Sequence, residues 1–558
     1  MKIFINAFFI VSVLMIAGCS QSADHAVLCV QIDPLQKIFT EESFFVDNPD
    51  TADVAKGETA TFQFLLKSAS HIQDLKIEAG NLVNGNQKIE ATLKAFVGYV
   101  RAEKYTSTHS KDAVFPFSDY YPDCLQEVES INLPPMQNQP LWVSYAIPRN
   151  AVDGNYSATL IFTGKINGKP FKVTKEIYAK VYPVMLPEQT LWISNWYRPN
   201  LLSQMNGNKP VEPYSDRYWE LLAAMARTMR EHGQNSYIIR GHKVFTWDGL
   251  CNVKSDGLQY TFDFTNFDRT VELFIREGDL KRIEGNHLAW RMGNWNGAFG
   301  ITMPDDGTLS SKLVDRPHDV AKTKPFENDT ARNYLSQFLT ALYSHLESKG
   351  WTKMYVQYLA DEPVDENAAS YIQIANFVKK HMPGIPIIDA VCSPKLADAV
   401  DIWVPILDKY HQNYTFFQER QAAGDEVWHY TCVGPQGNYA NRFMEQPLIQ
   451  TRFLHWINFR YGSTGYLHWG FNAWLPSGNP AGDNWISYPA DGRVYSSIRL
   501  AAMRDGIADY ELLKLLERKA PDKAKALASE VIKGFNSYNN DINAFRATRV
   551  KLLKWLSE

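Results

Sequence analysis

The chain has 558 residues, enough for two or more domains, and its 57 basic and 61 acidic residues give a formal net charge of −4. This near balance excludes the basic footprint of a nucleic-acid-binding protein. Aromatic residues make up 13% of the chain and include 15 tryptophans; such rings fill large cores and also stack on sugar faces, so composition alone does not choose between these roles.

The first residues have the pattern of an export signal. Lys2 is followed by an apolar run over 3–16, too short to span a membrane, and by the tetrapeptide Ile-Ala-Gly-Cys that ends at Cys19. That tetrapeptide resembles a bacterial lipobox, whose cysteine is acylated after cleavage just before it. We predict a lipoprotein signal peptide at 1–18 and a lipidated Cys19 that anchors the protein in the cell envelope, with the outer membrane favoured and a plain secretory signal as the alternative.

The other cysteines show no metal-binding or disulfide pattern. They are widely scattered, with no CxxC spacing and no clustering with histidines, so we predict buried thiols and neither a metal nor another cofactor. These residues are Cys29, Cys124, Cys251, Cys392 and Cys432.

Residues 19–187 are predicted to form an N-terminal β-sandwich domain and a linker. Short segments of strand-forming residues are separated by turn signals, and helical periodicity is scarce. The prolines of residues 181–187 are typical of a semi-rigid linker at a domain boundary. The predicted strands are 59–66, 75–79, 93–100, 141–147, 156–163 and 171–181.

After residue 190 the pattern changes to strands that alternate with helices. Eight such units are what a (β/α)8 barrel requires, so residues 188–520 are predicted to form a TIM-like α/β barrel, with residues 521–558 as two helices packed outside it. The predicted strands are 191–197, 236–241, 282–290, 353–360, 385–391, 402–407, 426–433 and 465–471. The predicted helices are 216–232, 266–278, 329–349, 365–381, 415–423, 448–461, 497–519, 522–535 and 541–557.

The fourth predicted strand runs straight into Asp361, Glu362 and Pro363. Consecutive side chains of a regular strand point to opposite faces, so both acids share one ligand only where the strand has ended. Pro363 has no N–H for a sheet ladder and biases Glu362 towards turn conformations, which places the strand end here. Partial desolvation by the preceding apolar residues would raise a carboxyl pKa and suit general-acid chemistry. The alternative is that the acids cap a helix.

Other predicted strand ends and the loops after them carry polar and aromatic residues. A barrel of this kind places its chemistry at the C-terminal ends of its strands, and such a cluster suits a sugar pocket. Inward-facing strand residues also fill the barrel, so each residue has a structural alternative. The candidates for substrate binding are Trp196, Asn286, His287, Trp290, Trp295, Tyr439, His468 and Trp469.

Two stretches carry a resemblance to a known family. The first is Leu-Ala-Asp-Glu-Pro at 359–363, on a barrel strand behind a β-sandwich; the second, quite specific, is SIRLAAMRDGIADYE at 497–511. With the domain order, they resemble glycoside hydrolase family 123, the N-acetyl-β-galactosaminidases. The resemblance covers nearly the whole mature chain, although Asp-Glu-Pro also occurs in relatives of unassigned activity.

The resemblance implies substrate-assisted catalysis with retention of configuration. Glu362 would then be the general acid/base on the glycosidic oxygen, and Asp361 would hold and polarise the 2-acetamido group of the substrate. The implied activity is exo-acting release of terminal β-linked N-acetylgalactosamine from glycans or glycolipids. The preference for the galacto sugar rests on the resemblance, because no spacing in the sequence reports it.

The residues agree with an internal nucleophile. A retaining glycosidase with a protein nucleophile needs a second carboxylate about 5–5.5 Å from the acid, whereas a substrate-assisted one uses the acetamido oxygen. The seventh predicted strand ends in Tyr-Thr-Cys-Val at 430–433, without an acid, and Glu426 begins that strand at the opposite face. Two assignments stay open. The tyrosine that orients the acetamido oxygen could be Tyr439 or Tyr410, and a rival protein nucleophile could be Asp389 or Asp408.

Three functions therefore remain open. The first is a lipid-anchored N-acetyl-β-galactosaminidase. The second is a barrel glycosidase of other specificity, for example for β-N-acetylglucosaminides, or with a protein nucleophile. The third is a non-catalytic glycan-binding lipoprotein in which Asp361 and Glu362 cap a helix.

Overall fold

The structure is a computed structural model that describes residues 27–41, 51–304, 322–476 and 478–558. The predicted signal peptide and Cys19 lie outside these ranges. Within the described ranges, no helix has both the length and the apolar character needed to cross a membrane. The five cysteines after Cys19 are free thiols, of which three are buried and two are partly exposed.

The N-terminal part of the chain is rich in sheet. One sheet has the order β1-β3-β10-β7-β8, and the other has the order β2-β12-β11-β4-β9, with β5 and β6 attached through β11. Apolar side chains of both sheets share one buried cluster, in which the rings of Phe64 and Phe162 lie 5.5 Å apart. The strands are β1 (Val27–Ile32), β2 (Ala52–Lys56), β3 (Thr59–Ser68), β4 (Ile72–Ala79), β5 (Leu82–Asn84), β6 (Gln87–Ile89), β7 (Leu93–Arg101), β8 (Tyr120–Gln126), β9 (Ile131–Leu133), β10 (Gln139–Ala146), β11 (Gly154–Ile166) and β12 (Lys169–Met185).

The segment predicted as a linker is different in the structure. Residues 181–185 continue β12 instead of leaving the sheet. Pro183 is accommodated because the parallel register between β12 and β2 shifts between Tyr182 and Met185, so the proline falls in an irregularity of the ladder. Pro183 therefore marks an irregularity within a strand.

The rest of the chain is a mixed α/β fold. Its parallel strands form a six-stranded sheet, β14-β17-β21-β22-β23-β24, and a three-stranded sheet, β13-β26-β25. These strands are β13 (Trp192–Asn195), β14 (Ser236–Ile238), β17 (Arg282–Gly285), β21 (Tyr355–Tyr358), β22 (Ile387–Asp389), β23 (Ile402–Trp403), β24 (Glu426–Val427), β25 (His429–Tyr430) and β26 (Gly465–His468). Each predicted strand of this half contains one of them, but the seventh is broken at Trp428 and its two pieces belong to different sheets.

Helices follow most of the parallel strands. They are α1 (Asp216–Glu231), α2 (Thr265–Gly278), α3 (Asp329–Lys349), α4 (Ala368–His381), α5 (Leu407–Gln412), α6 (Tyr414–Ala422), α7 (Leu448–Tyr461), α8 (Ile498–Lys519), α9 (Pro521–Val531) and α10 (Ile542–Ser557). Short antiparallel strands lie in the connecting segments: β15 (Asn252–Asp256), β16 (Gln259–Asp263), β18 (Ala289–Arg291), β19 (Phe299–Thr302), β20 (Thr323–Pro325), β27 (Tyr488–Ala490), β28 (Arg493–Tyr495), β29 (Ile532–Gly534) and β30 (Ser537–Tyr538). Of these, β18 overlaps the end of the strand predicted at 282–290, and β29 replaces the end of the helix predicted at 522–535.

The stretch 497–511, singled out in the sequence, lies in and beside α8 and holds distant parts of the chain together. Arg499 is fully buried and binds Asp123 of β8 through Nε, at 3.0 Å, and Nη2, at 2.8 Å. Asp509 is also fully buried and accepts hydrogen bonds from Arg452 at 2.6 and 2.9 Å. Glu511 accepts the backbone N–H groups of Thr190 and Leu191, where the chain enters β13. This stretch is therefore a structural junction.

Candidate active site

A cavity of about 490 Å³ lies where several parallel strands end. Its wall includes residues that follow or end β13, β14, β21, β22, β25 and β26. Because the carboxyl ends of parallel strands meet at one edge, residues far apart in sequence converge there. The lining residues are Trp196, Arg198, Arg240, Phe245, Trp290, Trp295, Asp361, Glu362, Ala390, Tyr430, Cys432, Val433, Leu467, Trp469, Ala473, Leu475, Pro476, Asn479, Asp483 and Asn484.

Asp361 and Glu362 both line this cavity, just beyond the end of β21. The backbone of Glu362 has φ +46°, which is uncommon for a residue other than glycine. Its carbonyl oxygen accepts a hydrogen bond of 2.6 Å from Nη2 of Arg291. Strained backbone of this kind persists where the surroundings hold it, and it is concentrated at functional sites. The turn lets two consecutive acids face one space, which a continuing strand would not allow.

The two acids do not cap the helix that follows them. α4 begins at Ala368 with Asn367 at its N-cap position, and the side chain of Asn367 accepts the backbone N–H of Val364 at 2.8 Å. The structural alternative considered from the sequence, in which Asp361 and Glu362 cap this helix, is therefore wrong.

The carboxyl group of Glu362 is built to hold a proton near neutral pH. Burial, and then the neighbouring charge of Asp361, raise the pKa of Glu362 to about 7. Two groups act in the opposite direction: the hydroxyl of Tyr430, which donates to Oε1 of Glu362, and the guanidinium of Arg291. A carboxyl group in this state can give a proton to a leaving oxygen and take one back, which is the role of a general acid/base.

Asp389, one of the sequence candidates for a nucleophile, lies beneath the turn. Its side chain is fully buried, and burial raises its pKa to about 8. Oδ2 accepts the hydroxyl of Tyr371 at 2.8 Å and the N–H of Ala360 at 3.2 Å, while Oδ1 accepts the N–H of Ala390 at 3.1 Å. Asp389 therefore supports the backbone that presents Asp361, with both of its oxygens engaged.

Four of the predicted substrate-binding residues line the cavity, and all are tryptophans. Trp196 and Trp290 are nearly buried, whereas Trp295 is 52% exposed and packs under the guanidinium of Arg291, 3.7 Å from the ring centre. The indole N–H of Trp469 donates to Oδ1 of Asp483 at 3.0 Å, which fixes the plane of that ring. These faces give the cavity the apolar surfaces on which a sugar ring stacks.

The other four predicted residues have supporting positions. Asn286 is buried, and its amide donates to the backbone oxygens of Val244 and Thr246 on the loop that carries Phe245. His287 is buried between the rings of Trp196 and Tyr358, and burial lowers its pKa to about 3.

His468 is buried at the end of β26, where Nδ1 lies 2.6 Å from Nη2 of Arg442. The hydroxyl of Tyr439 is hydrogen-bonded to His411 at 2.9 Å. Tyr410, the other tyrosine considered for the acetamido group, is buried and donates to the backbone oxygen of Tyr461. Among the described residues, Tyr430 is the tyrosine that lines the cavity.

Other polar or aromatic lining residues were not proposed as ligands from the sequence; they include Arg198, Arg240, Phe245 and Asp483. Asp483 is buried, its Oδ2 accepts the amide of Asn479 at 2.7 Å, and burial raises its pKa to about 6. The strand-end positions of Arg198 and Arg240 were a usable signal, whereas nothing in the sequence around Asp483 relates it to β21. Within the described residues, no group of three or more His, Cys, Asp or Glu side chains is arranged to hold a metal ion.

A carboxyl group with a raised pKa beside a second carboxylate, in a tryptophan-walled cavity at the ends of parallel strands, is an arrangement that suits cleavage of a glycosidic bond. Comparison with family models agrees: the glycoside hydrolase 123 catalytic domain matches residues 196–516, and the glycoside hydrolase 123 N-terminal domain matches residues 47–164. The chain belongs to glycoside hydrolase family 123, as its sequence motifs had predicted.

A solved structure shares the fold over nearly the whole chain. A family 123 glycoside hydrolase from Clostridium perfringens, described for glycolipid glycan hydrolysis, matches with a TM-score of 0.73 at 17% identity, over 95% of this chain and 97% of that one. Weaker likenesses include a β-glucuronidase from Parabacteroides merdae, with a TM-score of 0.29 at 11% identity over 77% of this chain and 48% of that one. Another is an endo-β-1,4-mannanase from Thermotoga petrophila, with a TM-score of 0.36 at 11% identity over 58% of this chain and 77% of that one. Comparison with curated proteins gives no match.

Proposed function

We propose that this glycoside hydrolase releases terminal β-linked N-acetylgalactosamine from glycans or glycolipids, with retention and through an oxazolinium intermediate. The observation that carries the proposal is the pairing of Asp361 and Glu362 in one cavity, with Glu362 held by Tyr430 and its pKa raised. Glu362 protonates the leaving oxygen and later deprotonates water. Asp361 accepts the acetamido N–H as that nitrogen gains positive character, so this hydrogen bond strengthens in the transition state.

Tyr430 supports the absence of a protein nucleophile at the seventh strand. Many retaining barrel enzymes carry that carboxylate at the end of the seventh strand. In this chain Tyr430 ends the strand, and its hydroxyl donates a hydrogen bond to Glu362. Glu426, at the start of the same strand, forms a two-point ion pair with Arg282 at 2.8 and 3.0 Å, so it is occupied at the opposite face. The acetamido oxygen of the substrate then supplies the nucleophile.

A protein nucleophile is the second candidate mechanism, and Asp483 is the observation that favours it. Asp483 is a third carboxylate on the cavity wall. Both oxygens of Asp483 already accept hydrogen bonds, from Trp469 and Asn479. We therefore assign to Asp483 the role of orienting the Trp469 ring.

The test compares aryl N-acetyl-β-galactosaminide, its gluco epimer and the plain β-galactoside, using wild type, Glu362→Gln, Asp361→Asn and Asp483→Asn. Loss of a general acid or of a transition-state partner costs at least ~100-fold, so both Glu362→Gln and Asp361→Asn should fall by that amount on the N-acetyl substrate. Asp483→Asn should retain more activity than Asp361→Asn. Equal turnover of the plain galactoside, or an active Asp361→Asn variant, would refute the substrate-assisted mechanism.

The architecture proposed for this function is a closed (β/α)8 barrel behind a β-sandwich, with domains at 19–187, 188–520 and 521–558. The barrel closes if β13 and β14 are neighbours, and the backbone N–H of Asn235 donates to the oxygen of Ile193 at 3.4 Å across that seam. At the other seam, β24 and β25 are separated by Trp428 alone. An experimental structure at side-chain resolution tests whether the two sheets form one barrel.

We also propose that lipidation of Cys19 places the enzyme in the bacterial cell envelope. The support is the sequence pattern of residues 1–19. Membrane fractionation and mass spectrometry of the N-terminus, with Cys19→Ala as the control variant, test it. Recovery of the wild type as a soluble, unacylated protein would refute the anchor.

A further inference from the structure

Arg240 has an unusual environment in the cavity wall. Its side chain follows β14, is 1% exposed, and has its guanidinium 4.4 Å from the ring centre of Trp196 and 5.0 Å from that of Phe245. Nε and Nη2 are both buried and have no hydrogen-bond partner among the described residues. Since a buried guanidinium without hydrogen bonds is costly, this edge is prepared for an acceptor.

The same edge of arginine is used elsewhere in this chain to hold carboxylates. Nε and Nη2 of Arg452 bind the two oxygens of Asp509 at 2.6 and 2.9 Å, and those of Arg546 bind Asp33 at 2.8 and 2.9 Å. Two parallel N–H donors match two oxygens of one carboxylate, sulfate or phosphate group. In Arg240 this fork has no acceptor among the described residues, although Arg240 lines a cavity.

The charges around the fork favour an anion over a neutral hydroxyl pair. Burial lowers the pKa of Arg240 to about 9. The second cavity arginine, Arg198, makes the largest charge contribution and acts in the same direction, whereas the smaller contribution of Asp361 acts in the opposite direction. Phe245 lies between them, with the Arg198 guanidinium 5.7 Å from its ring centre. Two guanidinium groups flank one aromatic ring, so an anionic ligand relieves both the desolvation and the repulsion.

We propose that Arg240 is the anchor of an anion subsite, with Arg198 contributing charge, and that the preferred glycan carries a sulfate ester or a carboxylate near the sugar that is cleaved. Phe245 is partly exposed and covers the guanidinium, so a small movement of its ring admits the anionic group. This inference rests on the proposed function, because it names the substrate class of the same cavity.

Binding to the full-length Glu362→Gln variant tests the subsite without turnover. The probes are N-acetylgalactosamine, its 4- and 6-sulfates, glucuronic acid and inorganic sulfate. Their binding is measured by tryptophan fluorescence and by calorimetry. At least one anionic probe should bind ten times more tightly than N-acetylgalactosamine, and this preference should weaken with added salt. Comparing the affinity for the sulfated sugars with the affinity for glucuronic acid distinguishes a sulfate ester from a carboxylate as the anionic group.

Arg240→Gln and Arg240→Lys, made in the same background, should remove the preference, because lysine keeps the charge but loses the fork. Arg276→Gln is the matched control, since Arg276 is an exposed arginine of α2. Equal affinity for anionic and neutral sugars, or an equal loss of both in Arg240→Gln, would overturn the proposal. If these variants do not fold, Phe245→Ala decides, because it uncovers the fork: the anion preference should be kept or increased, and its loss counts against the subsite.

Hydrolysis separates this inference from the proposed function. Wild type that cleaves the neutral aryl N-acetyl-β-galactosaminide but binds no anionic probe more tightly leaves the proposed function standing and removes the subsite. Wild type that prefers an anionic probe but cleaves none of the N-acetyl substrates keeps the subsite and removes the proposed substrate.

Discussion

If Glu362 is the general acid proposed above, the hydroxyl of Tyr430 should help to set the pH at which the enzyme loses activity on the basic side. Burial and Asp361 raise the pKa of Glu362 to about 7, although the Tyr430 hydroxyl, which donates to Oε1 of Glu362, acts to lower it. A general acid works in its protonated form, so kcat/KM falls as the pH rises through this pKa. Tyr430→Phe removes a bond that stabilises the ionised carboxylate. The pKa of Glu362 should therefore rise further, and the basic limb of the pH profile should move to higher pH.

The size of the shift follows from the strength of the bond. A hydrogen bond to a charged group contributes about 1.5–3 kcal/mol, and one pKa unit corresponds to about 1.4 kcal/mol, so a shift of about 1–2 pH units is expected. The assay measures kcat/KM for aryl N-acetyl-β-galactosaminide from about pH 4 to about pH 10, a range that covers both the acidic and the basic limb of the profile. Tyr343→Phe is the control, because its hydroxyl binds the backbone oxygen of Pro383 on the outside. A basic limb that stays in place or moves to lower pH in Tyr430→Phe would refute the assigned role of Glu362.

Three other outcomes follow from the structure. Arg499→Ala leaves Asp123 buried without its partner, so the free energy of unfolding in urea should fall by about 3–5 kcal/mol, against about 0–1 kcal/mol for Arg493→Ala at an exposed ion pair. Burial acts to raise the pKa of Asp509, but Arg452 and Arg549 lower it. The stabilisation that Asp509 contributes is therefore complete above the unfolded pKa of 3.8 and is lost as the pH falls below it. The melting temperature of Asp509→Asn should depend less on pH in that acid range, and an unchanged dependence would contradict this role. Activity should survive EDTA, and its loss, restored by a divalent cation, would show a metal requirement.

The sequence could predict that Asp361 and Glu362 face one space, because the end of a strand is a local feature. An apolar strand followed by two acids and a proline defines its own end, and β21 stops at Tyr358, before Asp361. The strand-end rule of parallel folds then brought Trp196, Trp290 and Trp469 to the same cavity. These inferences needed only the order of the residues and the period of their side chains.

Other features depend on contacts that no local pattern reports. Pro183 was interpreted as part of a linker because its place in a ladder depends on the register against β2. Tyr430 was passed over in favour of Tyr439 because the break of the seventh strand at Trp428 decides which residue ends at the cavity. Asp483 arrives from a loop more than a hundred residues after β21, and no periodicity relates the two.

Arg499 is one of the residues that connect the N-terminal sheets to the wall of the cavity. Besides the ion pair with Asp123, its Nη1 donates to the backbone oxygens of Arg442 and Gly482, each at 2.9 Å. Gly482 directly precedes Asp483, whose carboxylate fixes the indole of Trp469. A buried ion pair contributes little net stability but specifies one arrangement when its other donors are also satisfied. Arg499 therefore helps to position the cavity wall through the backbone next to Asp483, although Arg499 itself does not line the cavity.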